Sequence, residues 1–350
     1  MRGAYPGIVR FVQVGLGYRS QAFRRVLNDL GGFECVGVVL RRVRTASVAV
    51  YTDLGQCLEE VRPDLVIGIT GPSATPGIIE TAVDKGIPVL VETPPAATER
   101  DLDRLHGYCD CDLVQVAEQY PYMPGQAARL QAVRRGLIGE ISQVQVSSTQ
   151  TYHAMALIRA YLGIGPTDAL VRAHRFSGPL VDPLTRAGWT SDPNPRRADM
   201  VLASVDFGSD KSGIYDFTDN QTRNLLRTRR LLVRGSHGEI SGDQMVRLAD
   251  HNLITTTYLN RRQTGHDLDL NGYCTYQITL GDQVLWTNPW PQTRWNDDEV
   301  AVAEVLTRMA AHIEGTGPGP YPLSEAIYDA RLGLAIDTAI GQDRAVEVRG

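Results

Sequence analysis

A glycine-rich turn near the start of the chain has the residue types that suit phosphate binding. Gly15 and Gly17 follow an alternating, strand-like run at 9–14 and precede an amphipathic stretch at 19–30. Two glycines let backbone N–H groups approach a pyrophosphate, and a helix N-terminus adds partial positive charge. The pattern predicts dinucleotide binding, with a plain strand–turn–helix connection as the alternative. The predicted contacts are Gly15, Gly17, Tyr18, Arg19 and the small Ser20, which stands where a third glycine is usual.

A run of arginines follows the next predicted strand, Phe33–Leu40. At this place an acidic residue usually holds the ribose 2′-hydroxyl of NAD, whereas arginine holds the 2′-phosphate of NADP. The chain offers Arg41, Arg42 and Arg44 and no acid. The sequence therefore favours NADP over NAD, with Arg41 and Arg42 as phosphate ligands; arginines that are merely solvated are the alternative. The stretch at 43–50 is also too short for the helix that usually follows.

Strands and helices alternate through the first third of the chain. Apolar strands are predicted at 64–70, 87–92 and 112–117, with helices at 75–85 and after Thr98. Such alternation indicates a parallel, doubly wound sheet, whose ligands bind beyond the carboxyl ends of the strands. The residues expected around the same crevice as Gly15 are Thr70, Pro72, Glu92, Thr93, Pro94, Glu118 and Gln119.

The pattern changes after a helix predicted at 124–136. Most later apolar runs are strands without helices between them, which is typical of an antiparallel sheet with one open face. Two helices close the chain, one capped by Asn296 and one starting at Ser324. We predict a dinucleotide-binding domain at 1–120 and a substrate and oligomerisation domain at 121–350, with the last helix packed back on the junction.

Composition narrows the functional classes. The chain has 350 residues, 43% of them hydrophobic, and a formal net charge of −5 without a long basic block, so nucleic acid is not an expected partner. No apolar run is long enough for a membrane span, and a soluble cytoplasmic protein is predicted. The five cysteines are scattered, which favours free thiols over a metal site.

Six segments occur in order along the chain, at 15–19, 64–70, 86–94, 117–120, 136–141 and 234–240. Together they resemble the glucose-fructose oxidoreductase, inositol dehydrogenase and rhizopine catabolism (Gfo/Idh/MocA) family. The resemblance covers nearly the whole chain. It implies a Rossmann domain, a C-terminal α/β domain whose open sheet serves subunit contacts in a homo-oligomer, and NAD(P)-dependent oxidation or reduction of sugars or cyclitols.

Two positions depart from the family pattern. Members usually carry Glu-Lys-Pro where this chain has Glu92-Thr93-Pro94, so the lysine that assists proton release is missing. The family also places an Asp four residues before a His, and here Thr149 precedes His153. Alcohol oxidation needs a base, and an imidazole suits that role near neutral pH. The resemblance makes His153 the expected base with Tyr152 as helper; a helix cap or a backbone partner is the alternative for His153.

The substrate residues expected from the motif frame are Glu118, Tyr120, Tyr122, Tyr152 and His153. Two functions compete. One is an NADP- or NAD-dependent oxidoreductase acting on a sugar-like alcohol or ketone. The other is a non-catalytic dinucleotide-binding protein that has lost the family's Lys and Asp, while a lyase that recycles its cofactor is a minor third.

Overall fold

The computed structural model describes residues 7–42, 47–265 and 272–350. Packing divides the chain into two compact units that are not continuous in sequence. Unit 1 comprises Met1–Gln126, Arg262–Gln277 and Thr287–Ala330, and unit 2 comprises Ala127–Arg261, Ile278–Trp286 and Arg331–Gly350. The boundary between independent domains at residue 120 stays a prediction.

The helices of the described residues follow the predicted order, with one additional short helix. That helix, α2, begins after Asp53, whose side chain accepts a hydrogen bond from the Gln56 backbone N–H at 2.7 Å. The helices are α1 (Ser20–Leu30), α2 (Leu54–Val61), α3 (Thr75–Asp84), α4 (Glu99–His106), α5 (Pro124–Arg134), α6 (Thr151–Leu162), α7 (Asp297–Ile313) and α8 (Leu323–Gln342).

The strands of unit 1 form a six-stranded parallel sheet in the order β3-β2-β1-β4-β5-β6. This is the Rossmann order, in which the topology reverses between β1 and β4 and opens a crevice there. Every residue of β4, β5 and β6 is buried, as expected for a parallel sheet covered on both faces. The strands are β1 (Val9–Val14), β2 (Phe33–Val39), β3 (Val50–Tyr51), β4 (Leu65–Gly68), β5 (Val89–Val91) and β6 (Val114–Val116).

The later strands form an 11-stranded sheet and a separate two-stranded ribbon, β9 with β10. The order in the large sheet is β18-β17-β16-β15-β14-β13-β7-β12-β11-β8-β19, and β7 pairs with β12 in parallel. The strands are β7 (Ile141–Ser147), β8 (Ala169–Leu180), β9 (Leu184–Thr185), β10 (Gly188–Trp189), β11 (Arg196–Asp206), β12 (Ser212–Thr218), β13 (Arg230–Gly235), β14 (Gly238–Ser241), β15 (Gln244–Asp250), β16 (Leu253–Thr264), β17 (Cys274–Leu280), β18 (Gln283–Thr287) and β19 (Val346–Val348).

Helix α6 packs on one face of the large sheet, against β7 and β12, within unit 2. Successive side chains alternate between the two faces of a strand, and residues paired across a ladder share a face. The helix lies close to the sheet at Gly213, where a Cβ would come within 2.8 Å of the Ile158 side chain. The covered face is formed by fully or almost fully buried residues, namely Val144, Val146, Ala203, Tyr215, Val233, Ile240 and Met245.

The predicted fold class, a Rossmann-type parallel sheet plus an α/β part with a large, open, mostly antiparallel sheet, is confirmed. In the described ranges, no helix has the length and apolar character needed to cross a bilayer.

Candidate functional site

An open cleft of about 940 Å³ lies at the carboxyl ends of the unit 1 strands. Its volume falls within the range usual for small-molecule sites. The cleft brings together the glycine turn, the end of β2, the turn after β4 and the end of β5. Of the predicted cofactor residues, it is lined by Gly15, Gly17, Tyr18, Arg19, Arg41, Arg42, Thr70, Pro72, Glu92 and Thr93; Ser20, Pro94 and Gln119 are not part of the lining.

The two glycines of the turn have different surroundings. Gly15 has a φ of +91°, and a Cβ there would lie 2.5 Å from the Ile69 carbonyl oxygen. A Cβ on Gly17 would meet no atom within 4 Å, so this glycine keeps open the floor of the cleft. Helix α1 begins directly after the turn without a side-chain cap, and Ser20 donates its hydroxyl to the Gly17 carbonyl at 2.5 Å. The turn therefore fits a phosphate held against a helix N-terminus.

Arg41 and Arg42 are exposed on the cleft wall directly after β2. Among the described lining residues, neither Asp nor Glu stands at this end of the cleft, where Thr52 completes the wall. The arrangement fits a 2′-phosphate better than a bare 2′-hydroxyl. Arg44, the third arginine of the run, lies outside the described residues.

Arg19 is held by the protein at the other side of the glycine turn. Its Nε donates to Glu92 Oε1 at 2.9 Å, and its Nη1 forms an ion pair with Asp298 in the first turn of α7. The Gln119 amide satisfies both of its polar atoms in one orientation. Its nitrogen then donates to the Ala117 carbonyl at 2.9 Å, and its oxygen accepts from Arg19 Nη2 at 3.1 Å. Burial opposes the charge, yet Glu92 and Asp298 raise the pKa of the guanidinium above its ordinary value. Sequence reasoning missed Asp298, although its place in an acidic first turn was visible.

Glu92 and Thr93 directly follow β5 and line the cleft. The second carboxylate oxygen of Glu92 accepts the Thr93 backbone N–H at 3.0 Å and the Thr93 hydroxyl at 3.4 Å. The peptide bond between Thr93 and Pro94 is cis. At this position the chain therefore presents a neutral hydroxyl where the family has an ammonium group.

Neither of the chain's lysines replaces that ammonium group. Lys85 pairs with Glu59 at 2.7 Å, and Lys211 donates to the Ile141 carbonyl at 2.8 Å. Both lie outside the cleft lining. The cations of the cleft are arginines.

The predicted substrate residues after β6 are engaged by other groups of unit 1. Glu118 is fully buried and accepts the Tyr120 backbone N–H at 2.9 Å. Tyr122 donates its hydroxyl to the Pro320 carbonyl at 2.5 Å, and the Arg308 guanidinium lies 4.8 Å from its ring centre. Neither Glu118, Tyr120 nor Tyr122 belongs to the described cleft lining, and their substrate roles stay predictions.

Tyr152 and His153 lie in the first turn of α6, in unit 2. Their rings meet edge to face, with centres 5.3 Å apart. Tyr152 is buried and His153 is half-buried. The N-cap position belongs to Gln150, so His153 lies inside the helix rather than at its cap, and its role as a base stays a prediction. Thr149, in the place of the family's Asp, is buried.

Within the described part of the chain, no group of three or more His, Cys, Asp or Glu side chains could hold a metal ion.

No protein-family model and no curated protein matches the chain. Solved structures match it over nearly its whole length. An NAD-binding oxidoreductase from Klebsiella pneumoniae is 16% identical, with a TM-score of 0.70 over 98% of this chain and 99% of that one. An oxidoreductase from Agrobacterium radiobacter, solved with NAD⁺, L-tartaric acid and magnesium, is 14% identical, with a TM-score of 0.67 over 97% and 98%.

A third structure, myo-inositol 2-dehydrogenase from Lactobacillus plantarum, is 14% identical, with a TM-score of 0.66 over 98% of this chain and 100% of that one. At these identities the likeness establishes the shared fold. The fold expected from the family resemblance is thereby confirmed.

Proposed function

We propose that this protein is an NAD(P)-dependent oxidoreductase of the Gfo/Idh/MocA type, acting on a sugar-like or sugar-derived alcohol or ketone. The observation that carries the proposal is the cleft at the reversal point of a Rossmann sheet, with Gly17 open on its floor. Ligands of open α/β sheets bind at this point. Proteins with the same fold include an NAD-binding oxidoreductase and a myo-inositol 2-dehydrogenase, which supports the same activity.

The chain's own residues divide the work of binding. The turn at Gly15 and Gly17 and the start of α1 would hold the pyrophosphate, while Arg41 and Arg42 would hold a 2′-phosphate. NADP is therefore the preferred cofactor in this proposal. When bound, the nicotinamide supplies the hydride acceptor or donor.

Proton transfer falls to a different group, because Thr93 carries no charge. We assign it to His153, with Tyr152 as its neighbour, since an imidazole can both take a proton from a hydroxyl and return it near neutral pH. The substrate is a polyhydroxylated carbon skeleton, in keeping with the tartaric acid and inositol named for proteins of this fold. Glu118, Tyr120 and Tyr122 are the proposed substrate contacts after β6.

We also propose that two copies associate through the large sheet. The face opposite α6, here called the open face, carries Phe176, Leu202, Leu248, Ile254 and Tyr258, all of which are exposed. They form two groups on this face: Phe176 and Leu202 lie on the paired strands β8 and β11, and Leu248, Ile254 and Tyr258 lie on the paired strands β15 and β16. An exposed apolar surface of this kind marks a protein interface. We place the protein in the cytoplasm, since none of the five cysteines, all of which lie in the described part of the chain, forms a disulfide bond.

The alternative is a dinucleotide-binding protein without catalysis. Two observations favour it: both lysines lie outside the cleft lining, and Thr149 stands in the place of the family's Asp. Both functions require nucleotide binding, and only the first requires hydride transfer.

One experiment separates them. Titration with NADP⁺, NADPH, NAD⁺ and NADH measures binding, and absorbance at the reduced nicotinamide band then follows turnover with a panel of sugars, cyclitols, hydroxy acids and their ketones. Binding with turnover supports the oxidoreductase. Binding without turnover on the whole panel supports the alternative, and absence of binding overturns both.

A further inference from the structure

The ion-pair cluster of Arg19, Glu92 and Asp298 carries more negative than positive charge. One guanidinium faces two carboxylates, and the neutral groups Gln119 and Thr93 complete the cluster. Asp298 is one of three acids in the first turn of α7. Glu299 pairs with Arg25 at 2.5 Å, and Asp297 accepts from the Thr275 hydroxyl at 3.0 Å. Within the described part of the chain, Arg19 is thus the one cation in contact with Glu92 and Asp298. One of the two negative charges is left without a balancing positive charge.

The position of the cluster in the sheet indicates which half of a dinucleotide it faces. In a Rossmann cleft the pyrophosphate lies at the glycine turn, and the adenosine ribose lies at the end of the second strand. Arg41 and Arg42 mark that adenosine side here. Glu92 directly follows β5, which lies on the other side of the glycine turn, beyond β4. The nicotinamide half must therefore extend toward the cluster.

The oxidised nicotinamide ring carries a positive charge and the reduced ring is neutral. An uncompensated carboxylate at short range attracts the charged oxidised ring and not the neutral reduced ring. The attraction is strong where water is partly excluded. Glu92 and Gln119 are buried, while about a quarter of the Arg19 side chain and a third of the Asp298 side chain are exposed. We propose that the Arg19–Glu92–Asp298 cluster selects the oxidised form of the cofactor over the reduced form. This inference rests on the proposed function, because it requires a bound nicotinamide.

The test is the ratio of affinities for NADP⁺ and NADPH, measured by calorimetric titration without any substrate. Asp298→Asn removes the negative charge and keeps the side-chain shape. We expect it to lower affinity for NADP⁺ relative to NADPH by about tenfold, the order expected for one nearby charge in a partly buried site. Thr93→Lys adds a positive charge on the cleft wall beside Glu92 and should change the ratio in the same direction.

Asp297→Asn is the matched control. It removes the same charge from the same turn of α7, but Asp297 contacts Thr275 and Tyr273 instead of Arg19. We expect this variant to change the ratio by less than about twofold, because Asp297 contacts two hydroxyl groups and is not part of the Arg19 cluster.

The outcomes separate the two proposals. If the wild type binds none of the nucleotides, the proposed function fails. If the wild type binds both forms and neither Asp298→Asn nor Thr93→Lys changes the ratio, the function stands and the inference is overturned. If Asp298→Asn does not fold, Thr93→Lys decides alone, since its side chain projects into the cleft. Equal effects of Asp297→Asn and Asp298→Asn also overturn the inference. They would show that the total negative charge of this helix turn changes the ratio, without a specific role for the Arg19 cluster.

Discussion

At the scale of single residues, the two glycines of the first turn are required for different reasons. The backbone of Gly15 lies in the left-handed region, and its missing Cβ makes room for a neighbouring carbonyl. Gly17 has neither constraint, and the absence of a side chain there only leaves room in the cleft for a ligand. A side chain at Gly15 costs folding energy, whereas one at Gly17 fills the place of a ligand.

We therefore expect Gly17→Val to abolish NADPH binding and leave the melting temperature close to that of the wild type. Gly15→Ala is the companion variant, and it should lower the melting temperature because the carbonyl of Ile69 would lie too close. Differential scanning fluorimetry with and without NADPH measures both effects. Unchanged NADPH affinity in Gly17→Val would remove the assignment of the turn to the cofactor.

Arg41 offers the second test at this scale. Arg41→Ala should weaken NADPH binding by about tenfold or more and change NADH binding little, since only NADPH carries the 2′-phosphate that a guanidinium can hold. Fluorescence titration with each nucleotide gives both constants. Arg62→Ala is a control, because Arg62 is a surface arginine at the end of α2 and outside the cleft lining. Equal losses for the two nucleotides would mean that Arg41 is only a surface charge.

His153 carries the chemical prediction. If the protein is an active dehydrogenase, His153→Ala should lower kcat by about 10²-fold or more, the size expected for a lost general acid or base, with cofactor affinity unchanged. Steady-state rates and nucleotide titrations on the same preparation separate these effects. Full activity in the variant would place the proton acceptor elsewhere.

The cleft residues that could be predicted are those whose position follows from the neighbouring sequence. Gly15, Gly17, Arg41 and Thr93 stand next to strand ends, and parallel strands bring such ends together. The partner of Arg19 was not predictable in this way, because Asp298 lies 279 positions away. Pairing over that distance depends on how helices pack, and a single sequence carries no signal for it.

At the scale of elements, a few polar contacts join the start of α7 to α1. Its start is fixed by a capping box, in which Asn296 accepts the Glu299 N–H and Glu299 accepts the Asn296 N–H, each at 3.0 Å. Trp295, directly before the cap, is almost completely buried and donates its ring N–H to Asp29 of α1 at 3.0 Å. The cap thereby also places Asp298 beside the glycine turn.

Removal of this cap should have a measurable cost. Asn296→Ala is expected to lower the unfolding free energy by about 1 kcal/mol, the usual loss for a side-chain N-cap. The matched control is Gln150→Ala at the N-cap of α6, where no side-chain cap bond is made and a change under about 0.5 kcal/mol is expected. Urea denaturation measures both. An equal loss in the two variants would mean that the capping box does not determine the stability of α7.

The sequence predicted these elements unevenly, for a physical reason. The cap at Asn296 was visible because its acceptor and its acidic first turn are local. Strand β3 and helix α2 were missed, because a two-residue strand has no periodicity and an eight-residue helix shows barely two turns. The ends of β4 and β5 lie inside their predicted ranges, since apolar residues continue beyond the hydrogen-bonded ladder.

At the scale of the whole molecule, the open face of the large sheet raises the question of what covers it. Helix α6 packs on one face, against β7 and β12, and the opposite face exposes apolar side chains of β8, β11, β15 and β16. A second copy of the chain can bury both open faces at once through a twofold interface. The alternation of apolar and polar residues made an open face predictable, but the sequence could not say which strands would contribute to it.

The prediction is that the wild type is an oligomer and that a charge on the open face dissociates it. Ile254 is 71% exposed at the centre of the apolar group on β15 and β16, and Ile254→Asp should shift the mass by light scattering to that of one chain. The control is Ile8→Asp, because Ile8 is 65% exposed but lies before β1 in unit 1. An aspartate buried in an interface would lack a partner and oppose association, whereas one in water would not. An oligomer that persists in Ile254→Asp, or that dissociates equally in Ile8→Asp, would exclude the open face as the interface.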